Sequence, residues 1–344
     1  MPVRHAEIVY MDGRNIDCDA ESDNPFRASV RISTGDIKNL LRIAFWEGPI
    51  AWLMNPQTWP RISRLIARVS VRRYQDRTKN NLRFIESVFP SHSRIADPID
   101  IEVGYFARRF EERYGYLRSH RPGGWHPVIR IHGQEHIENA AQLGKGVIFW
   151  GSRLAFNHLI TKIAFFRLGL NVYHYSRPIH GLSHTQFGTL FINPIWTKIE
   201  RRYLRARVIS ENNIPSAMRI LQDVVQSGGA VSITTGNWGK RNAEAPFFNS
   251  RLKLSTGVIA KAREWNAALL PTYVTADADG SFDVTIGKPL VSDQEDLGEY
   301  CAEIVKAYAV ELEPFVRQNP TQWRGFELLQ ATESPETTLN HRNR

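Results

Sequence analysis

Leu143-Gly144-Lys145-Gly146-Val147-Ile148-Phe149-Trp150-Gly151-Ser152-Arg153-Leu154-Ala155-Phe156-Asn157-His158-Leu159 is the stretch that decides the fold. Its centre, Val147 to Trp150, is an apolar run of strand character bounded by glycines. A short turn at Gly151-Ser152 then delivers polar residues to the start of a helical pattern. Open α/β folds put their chemistry at such strand ends, which makes Arg153, Asn157 and His158 the first candidates for function.

Outward from this stretch, short β-rich runs alternate with helical ones from Pro127 onward. Strands are expected over Val128 to Ile131, Val172 to Tyr175 and Ala230 to Thr234. Helices are expected over Leu159 to Leu168, closed by Gly169, over Pro215 to Gln226, closed by Gly228 and Gly229, and over Thr256 to Trp265. Leu269 to Thr275 and Phe282 to Ile286 pair as an expected hairpin through Asp279-Gly280, and a last helix runs from about Gln294 to Val316. This alternation argues for an α/β fold, a mixed sheet covered by helices on both faces, with an all-helical N-terminal part.

The expected organisation is an irregular leader over residues 1–35, a helical part over 36–126, the α/β domain over 127–330 and a disordered polar tail over 331–344. Leu40 to Met54 is apolar and aromatic, with Phe45, Trp46 and Trp52. Arg42, Glu47 and Pro49 interrupt it, so it suits a packed or interfacial helix better than a membrane span. Ile62, Leu65, Ile66 and Val69 follow at helical spacing, set against Arg61, Arg64, Arg68, Arg72 and Arg73. Such a basic amphipathic helix either docks on an anionic membrane surface or turns its apolar side to a core and its arginines to water.

With 344 residues and 42% hydrophobic content the chain can close a sizeable core. Cys18 and Cys301 stand far apart without metal-type spacing, so neither a disulfide framework nor a zinc site is expected. The formal charge of +9 favours anionic partners. Nucleic acid fits poorly, because no finger spacing, aromatic RNA-binding motif or helix-turn-helix signature accompanies the charge. Met1 to Asn24 lacks the apolar core of a secretory signal, and no later stretch reaches the ~20 apolar residues of a spanning helix. A serine hydrolase is unsupported, since no Gly-x-Ser-x-Gly elbow occurs.

Several motifs, taken in order, carry more weight than any one alone. They are Asn81-Leu82-Arg83 through Phe89-Pro90, Gly146 to Leu159, Tyr175-Ser176-Arg177-Pro178, Gly228-Gly229-Ala230-Val231, Pro246-Phe247-Phe248 with Ser255-Thr256-Gly257, Leu270-Pro271, and Asn319-Pro320-Thr321-Gln322-Trp323. Over roughly residues 80 to 325 the chain resembles the lipid A late acyltransferases, the lauroyl and myristoyl transferases of the lysophospholipid acyltransferase superfamily. The resemblance implies transfer of a fatty acyl group from an acyl carrier protein or coenzyme A thioester to a lipid-like or small-molecule acceptor. It implies no cofactor, no metal, and a place on the inner face of the cell membrane as a peripheral protein.

The family's chemistry rests on a His followed five positions later by Asp or Glu: the imidazole removes the hydroxyl proton and the carboxylate orients it. Here Arg153 stands where that His belongs and His158 where the acid belongs. An arginine stays protonated and cannot act as a base at neutral pH. Either His158 is the base and Arg153 stabilises an oxyanion or an anionic donor, or the fold is retained for binding acyl chains, carrier protein or a partner enzyme. Asn157 and Arg177 are expected substrate contacts, with Lys240 and Arg241 in a loop where the family has an acidic stretch. His180 and His184 read as solvated, and Arg201, Arg202, Arg205 and Arg207 as either a contact for an acidic carrier protein or lipid phosphates or a solvated helix face.

Overall fold

A computed structural model of the chain describes residues 7–10, 30–73, 75–89, 96–176, 181–209, 214–237 and 239–331. Strand β1 (Glu7–Tyr10) is followed by helices α1 (Thr34–Arg42), α2 (Gly48–Leu53), α3 (Trp59–Arg73), α4 (Gln75–Val88) and α5 (Pro98–Arg118). Then come β2 (Ile129–His132), α6 (Gln134–Gln142), β3 (Val147–Gly151), α7 (Asn157–Arg167), β4 (Val172–Ser176), α8 (Pro194–Glu200), β5 (Ala206–Ile209), α9 (Ile214–Gln226) and β6 (Ala230–Thr234). The hairpin β7 (Asn242–Phe247) and β8 (Ser250–Ser255) precedes α10 (Gly257–Glu264), β9 (Ala268–Ala276), β10 (Phe282–Ile286), α11 (Leu297–Gln318) and β11 (Leu329–Ala331).

The main sheet has the order β1-β5-β4-β6-β3-β9-β10-β2. Its first six strands are parallel; β10 turns back antiparallel to β9 and pairs in parallel with β2. The glycine-bounded run sits at the centre as β3, and all four residues Val147 to Trp150 are buried. Alternation along the strand explains this burial on both sides. Ile148 and Trp150 join the core formed with α9, α10 and α11, while Val147 and Phe149 face the other layer, where Phe149 stacks on Phe165 of α7 at 4.1 Å. A smaller antiparallel sheet, β11-β8-β7, lies beside α11. This is the mixed α/β architecture that the alternation predicts.

Several expectations need correction. The leader is not irregular throughout: Glu7–Tyr10 extends the main sheet against β5. Arg207 does not lie on a solvated helix face but in β5, where it is 4% exposed, while Arg201 and Arg202 form a short 3-10 turn before it. On α3 the buried face is Trp59, Ser63, Ala67 and Val71, so Leu65 and Val69 stand in solvent and do not form a core face, one of the two alternatives for this helix. The physical reason is that α3 packs against a long partner with small residues at the contact, and Ala67 and Ser63 allow closer approach than Leu65 would. Ala331, placed in the tail, closes β11; residues 332–344 lie outside the described residues.

That long partner is α5. Asp97 caps it by accepting from the Ile99 N–H at 2.9 Å, and Pro98 occupies its first turn, where no N–H is needed. It crosses from the helical part into the α/β layers, and Tyr114, Tyr116 and Leu117 share one core with Ile160 and Ile163 of α7 and Val274 of β9. The C-terminal segment Asn319 to Trp323 lies directly on it: a Cβ on Gly104 would meet the Thr321 Cβ at 2.3 Å. Gly104→Ala should therefore lower stability by about 1–3 kcal/mol through overpacking, measured as a fall in the urea midpoint of unfolding.

Candidate functional site

The site is built where β3 ends. Gly151 pairs with Thr234 of β6 on one side and Thr272 of β9 on the other, so the carboxyl ends of β3 and β6 lie level beside the middle of the longer β9. The Ser152 N–H donates to the Thr272 carbonyl at 2.9 Å, and the Thr235 N–H to that of Gly151 at 2.8 Å. A Cβ on Gly151 would sit 2.6 Å from Nδ2 of Asn157, so glycine lets that amide fold back over the strand end. The turn then passes through Phe156, whose φ of 65° is left-handed and disfavoured for a side chain of this size. Burial at 3% exposure and an edge contact with Phe282 at 5.0 Å hold it there.

The C-terminal segment fixes the outer side of this turn. Ala155 N–H donates to the Gln322 carbonyl at 2.7 Å, Arg324 N–H to the Arg153 carbonyl at 2.8 Å, and Leu154 bridges to Trp323. The Gln322 side chain in turn holds both backbone groups of Ala276 at the end of β9, each at 2.8 Å. The Asn319-Pro320-Thr321-Gln322-Trp323 motif is thus a brace for the catalytic-type turn.

From this turn α7 starts with Asn157 and His158. His158 lines a pocket at the carboxyl edge of the sheet, together with Asn157, Lys162, His174, Ser232 and Thr272. Asn157 is 5% exposed, and its Oδ1 has no hydrogen-bond partner among the described residues. His174 and Ser232 are joined at 2.8 Å across β4 and β6. Lys162, one helical turn after His158, is 2% exposed; its Nζ donates to the His158 carbonyl at 2.6 Å and pairs with Glu200 Oε2 at 3.2 Å. Burial holds the Lys162 ammonium below the usual lysine value although Glu200 pulls the other way.

Behind the pocket the charges are buried and matched. Glu200, fully buried on α8, also accepts from the Tyr116 hydroxyl at 2.7 Å. Burial and the Glu200 carboxylate push that phenol well above its usual value. Glu112 on α5 is 9% exposed and accepts from Arg324 Nη1 at 2.5 Å. Burial pushes the Glu112 carboxyl up, but the charges of Arg324 and His158 outweigh it and hold it below the usual carboxylate value. Arg207 donates to the Ser176 hydroxyl at 2.8 Å.

The residues singled out from sequence divide accordingly. His158 and Asn157 line the pocket; Arg153 stands in the turn before them, outside the lining, ion-paired with Glu327. Lys240 and Arg241 are exposed and are not among the pocket-lining residues, and His184 is exposed. Arg177 and His180 lie outside the described residues. Glu112, Tyr116, Lys162, Glu200 and Arg324 were not singled out. Lys162 leaves one trace in the sequence, a lone cation in an otherwise apolar helical run, whereas Glu112 sits in a charged run and gives none. Among the described residues no group of three or more His, Cys, Asp or Glu side chains could hold a metal ion.

Fold and site together define an α/β protein with a pocket at the carboxyl edge of its parallel strands, lined in part by a His at a helix start. The profile of the family described as bacterial lipid A biosynthesis acyltransferase matches residues 37–327, and the chain belongs to that family. Membership suggests acyltransferase activity on lipid-like acceptors. A search of curated proteins finds no match to the chain.

The Glu112 pair gives a stability test. Arg324→Met leaves a buried carboxylate without its cation and should cost about 3–5 kcal/mol at neutral pH in urea unfolding. Because the Glu112 carboxyl is held low in the folded chain, its contribution is complete above the ordinary carboxylate value and lost as pH falls through the depressed one. The deficit of the variant should therefore shrink in acid.

Proposed function

We propose that this protein transfers a fatty acyl group from an acyl carrier protein or coenzyme A thioester to a hydroxyl or amine of a lipid-like acceptor, with His158 as the base. The supporting observation is the position of His158: it lines the pocket at the carboxyl edge of the sheet, in the first turn of α7 just after the strained Phe156. In the reaction the imidazole takes the acceptor proton as the acceptor atom attacks the thioester carbonyl, and the thiol leaves carrying a proton. The positive end of α7, whose N-cap Phe156 offers no side-chain oxygen, favours the negative charge that develops there. Arg177, Lys240 and Arg241 keep their proposed role in meeting anionic parts of donor or acceptor on sequence grounds.

A second reading has its own observation. Arg153 occupies the motif position of the usual base, and Glu327 already matches its charge. A binding protein derived from the acyltransferase fold would have this arrangement. Incubating the purified chain with carrier-protein and coenzyme A thioesters and candidate acceptors separates the two by mass spectrometry. Turnover is expected, falling by roughly 10²–10⁴-fold in His158→Ala. Undiminished turnover in that variant sinks the base assignment, and absence of turnover with every donor favours binding.

The same reading puts the protein at an anionic membrane surface. No helix among the described residues is long and apolar enough to cross a membrane. Phe45 and Leu53 are 80% and 83% exposed, and α3 presents Leu65 and Val69 between exposed Arg61, Arg68 and Arg72. Apolar side chains among arginines suit a lipid interface carrying negative headgroups. Sedimentation with phosphatidylglycerol vesicles should show salt-sensitive binding that phosphatidylcholine vesicles lack. Neutralising Arg61 and Arg68 together should weaken it roughly thirtyfold, from about 1 kcal/mol per cation; equal binding to both vesicle types would contradict the proposal.

A further inference from the structure

The hydroxyls that line the pocket are not equivalent. Thr161 donates to the Asn157 carbonyl, and Ser232 is bonded to His174 at 2.8 Å. Thr272 on β9 lines the same pocket and is 0% exposed, yet its Oγ1 has no hydrogen-bond partner among the described residues. We infer that this hydroxyl is a catalytic group: it donates to the carbonyl oxygen of the acyl thioester and stabilises the negative charge that forms there. This rests on the acyl-transfer reading and names a group that the reading lacks.

The strand register puts the hydroxyl on the required face. Phe149 pairs with Leu270 and Gly151 with Thr272, so Thr272 points to the side on which Phe149 stacks against Phe165 of α7. Gly151 brings no side chain to its place between Thr234 and Thr272, and the Asn157 amide reaches over it from the start of α7. The space beside Gly151 therefore lies under the first turn of α7, walled by Thr272, Asn157 and His158. The Thr272 backbone is fixed: its carbonyl accepts from the Ser152 N–H at 2.9 Å, and β9 runs on to Ala276, which the Gln322 side chain holds.

A buried hydroxyl without a partner is destabilising, so its place in the fold calls for a bound group that completes it. Thr272 can donate, and a thioester carbonyl oxygen accepts more strongly as negative charge builds on it. Asn157 Oδ1 also has no partner among the described residues, in a side chain 5% exposed, but it can only accept. It therefore suits an N–H or O–H of the ligand and not the carbonyl. In the reaction the acceptor atom bonds to the carbonyl carbon and gives its proton to His158. The carbonyl π electrons move to the oxygen held by Thr272. When they return, the carbon–sulfur bond breaks and the departing sulfur takes the proton from His158. The positive end of α7 adds to the stabilisation by Thr272.

The test compares two variants of the full-length chain: Thr272→Val keeps the shape and removes the hydroxyl, and Thr272→Ser keeps the hydroxyl. Thr272→Val should lower the kcat of acyl transfer roughly 10²–10³-fold with KM little changed, and Thr272→Ser should recover most of it. Because the hydroxyl has no partner to lose, the urea midpoint of Thr272→Val should equal or exceed that of the wild type. A third readout does not need turnover. In a ketone analogue of an acyl-phosphopantetheine, a methylene group replaces the thioester sulfur and the carbonyl is isotope-labelled. Its infrared carbonyl stretch should lie lower when bound to the wild type than to Thr272→Val, since a hydrogen bond weakens the C=O bond. Equal frequencies in the two proteins, an unchanged kcat, or failure of the analogue to bind the wild type overturns the inference. A clear fall in the midpoint does so too, because it marks the hydroxyl as a structural bond. A wild type that lowers the stretch and turns over no donor removes the acyl-transfer reading and leaves the carbonyl site standing.

Discussion

Glu112 carries its charge in a place that water barely reaches, and Arg324 makes that possible by pairing with it at 2.5 Å. A buried carboxylate without such a cation would be costly enough to take up a proton or distort the packing around it. Arg324 in turn belongs to a segment that is hydrogen-bonded to the turn after β3 and to the end of β9. The ion pair therefore couples three things that are far apart in sequence: a long helix of the N-terminal part, the strand end that bears His158, and the brace that follows α11. Because α5 shares a core with α7 and β9, the helical part is built into the site.

Around this pair the site keeps its charges matched before any substrate arrives. Glu200 is satisfied by Lys162 and Tyr116, and Arg153 by Glu327. Fixed, desolvated groups of this kind need little reorganisation when a proton moves, which is how electrostatic preorganisation contributes to catalysis. The same matching explains why Arg153, despite standing at the motif position of the base, has less to offer an incoming anion than an unmatched cation would. The strained Phe156 supplies geometry: its left-handed backbone aims α7 so that Asn157 and His158 open onto the pocket.

The sequence reveals the strands that are buried on both faces, because Val147 to Trp150 is apolar throughout and Leu269 to Thr275 is mostly so, broken by Thr272 and Thr275. The four-residue strands β1 and β5 were not legible. Each is too short for a periodic signal, and Arg207 lies inside β5, where its charge is held by Ser176 in three dimensions only. The buried face of α3 was not legible for a related reason: Ile62, Leu65, Ile66 and Val69 carry the apolar signal, yet a close helix contact selects Ser63 and Ala67. His158 could be found from the strand-turn-helix pattern, while Glu112 could not, since nothing local distinguishes it from its charged neighbours in α5.

The most direct measurement of the central claim is a crystal structure with a donor analogue in which a thioether replaces the thioester sulfur–carbonyl link. The account predicts its reacting carbon in the pocket at the carboxyl ends of β3 and β6, beside Thr272 of β9, leaving room for an acceptor atom about 3 Å from the His158 imidazole. An analogue bound elsewhere, with His158 closed off behind it, would contradict the account.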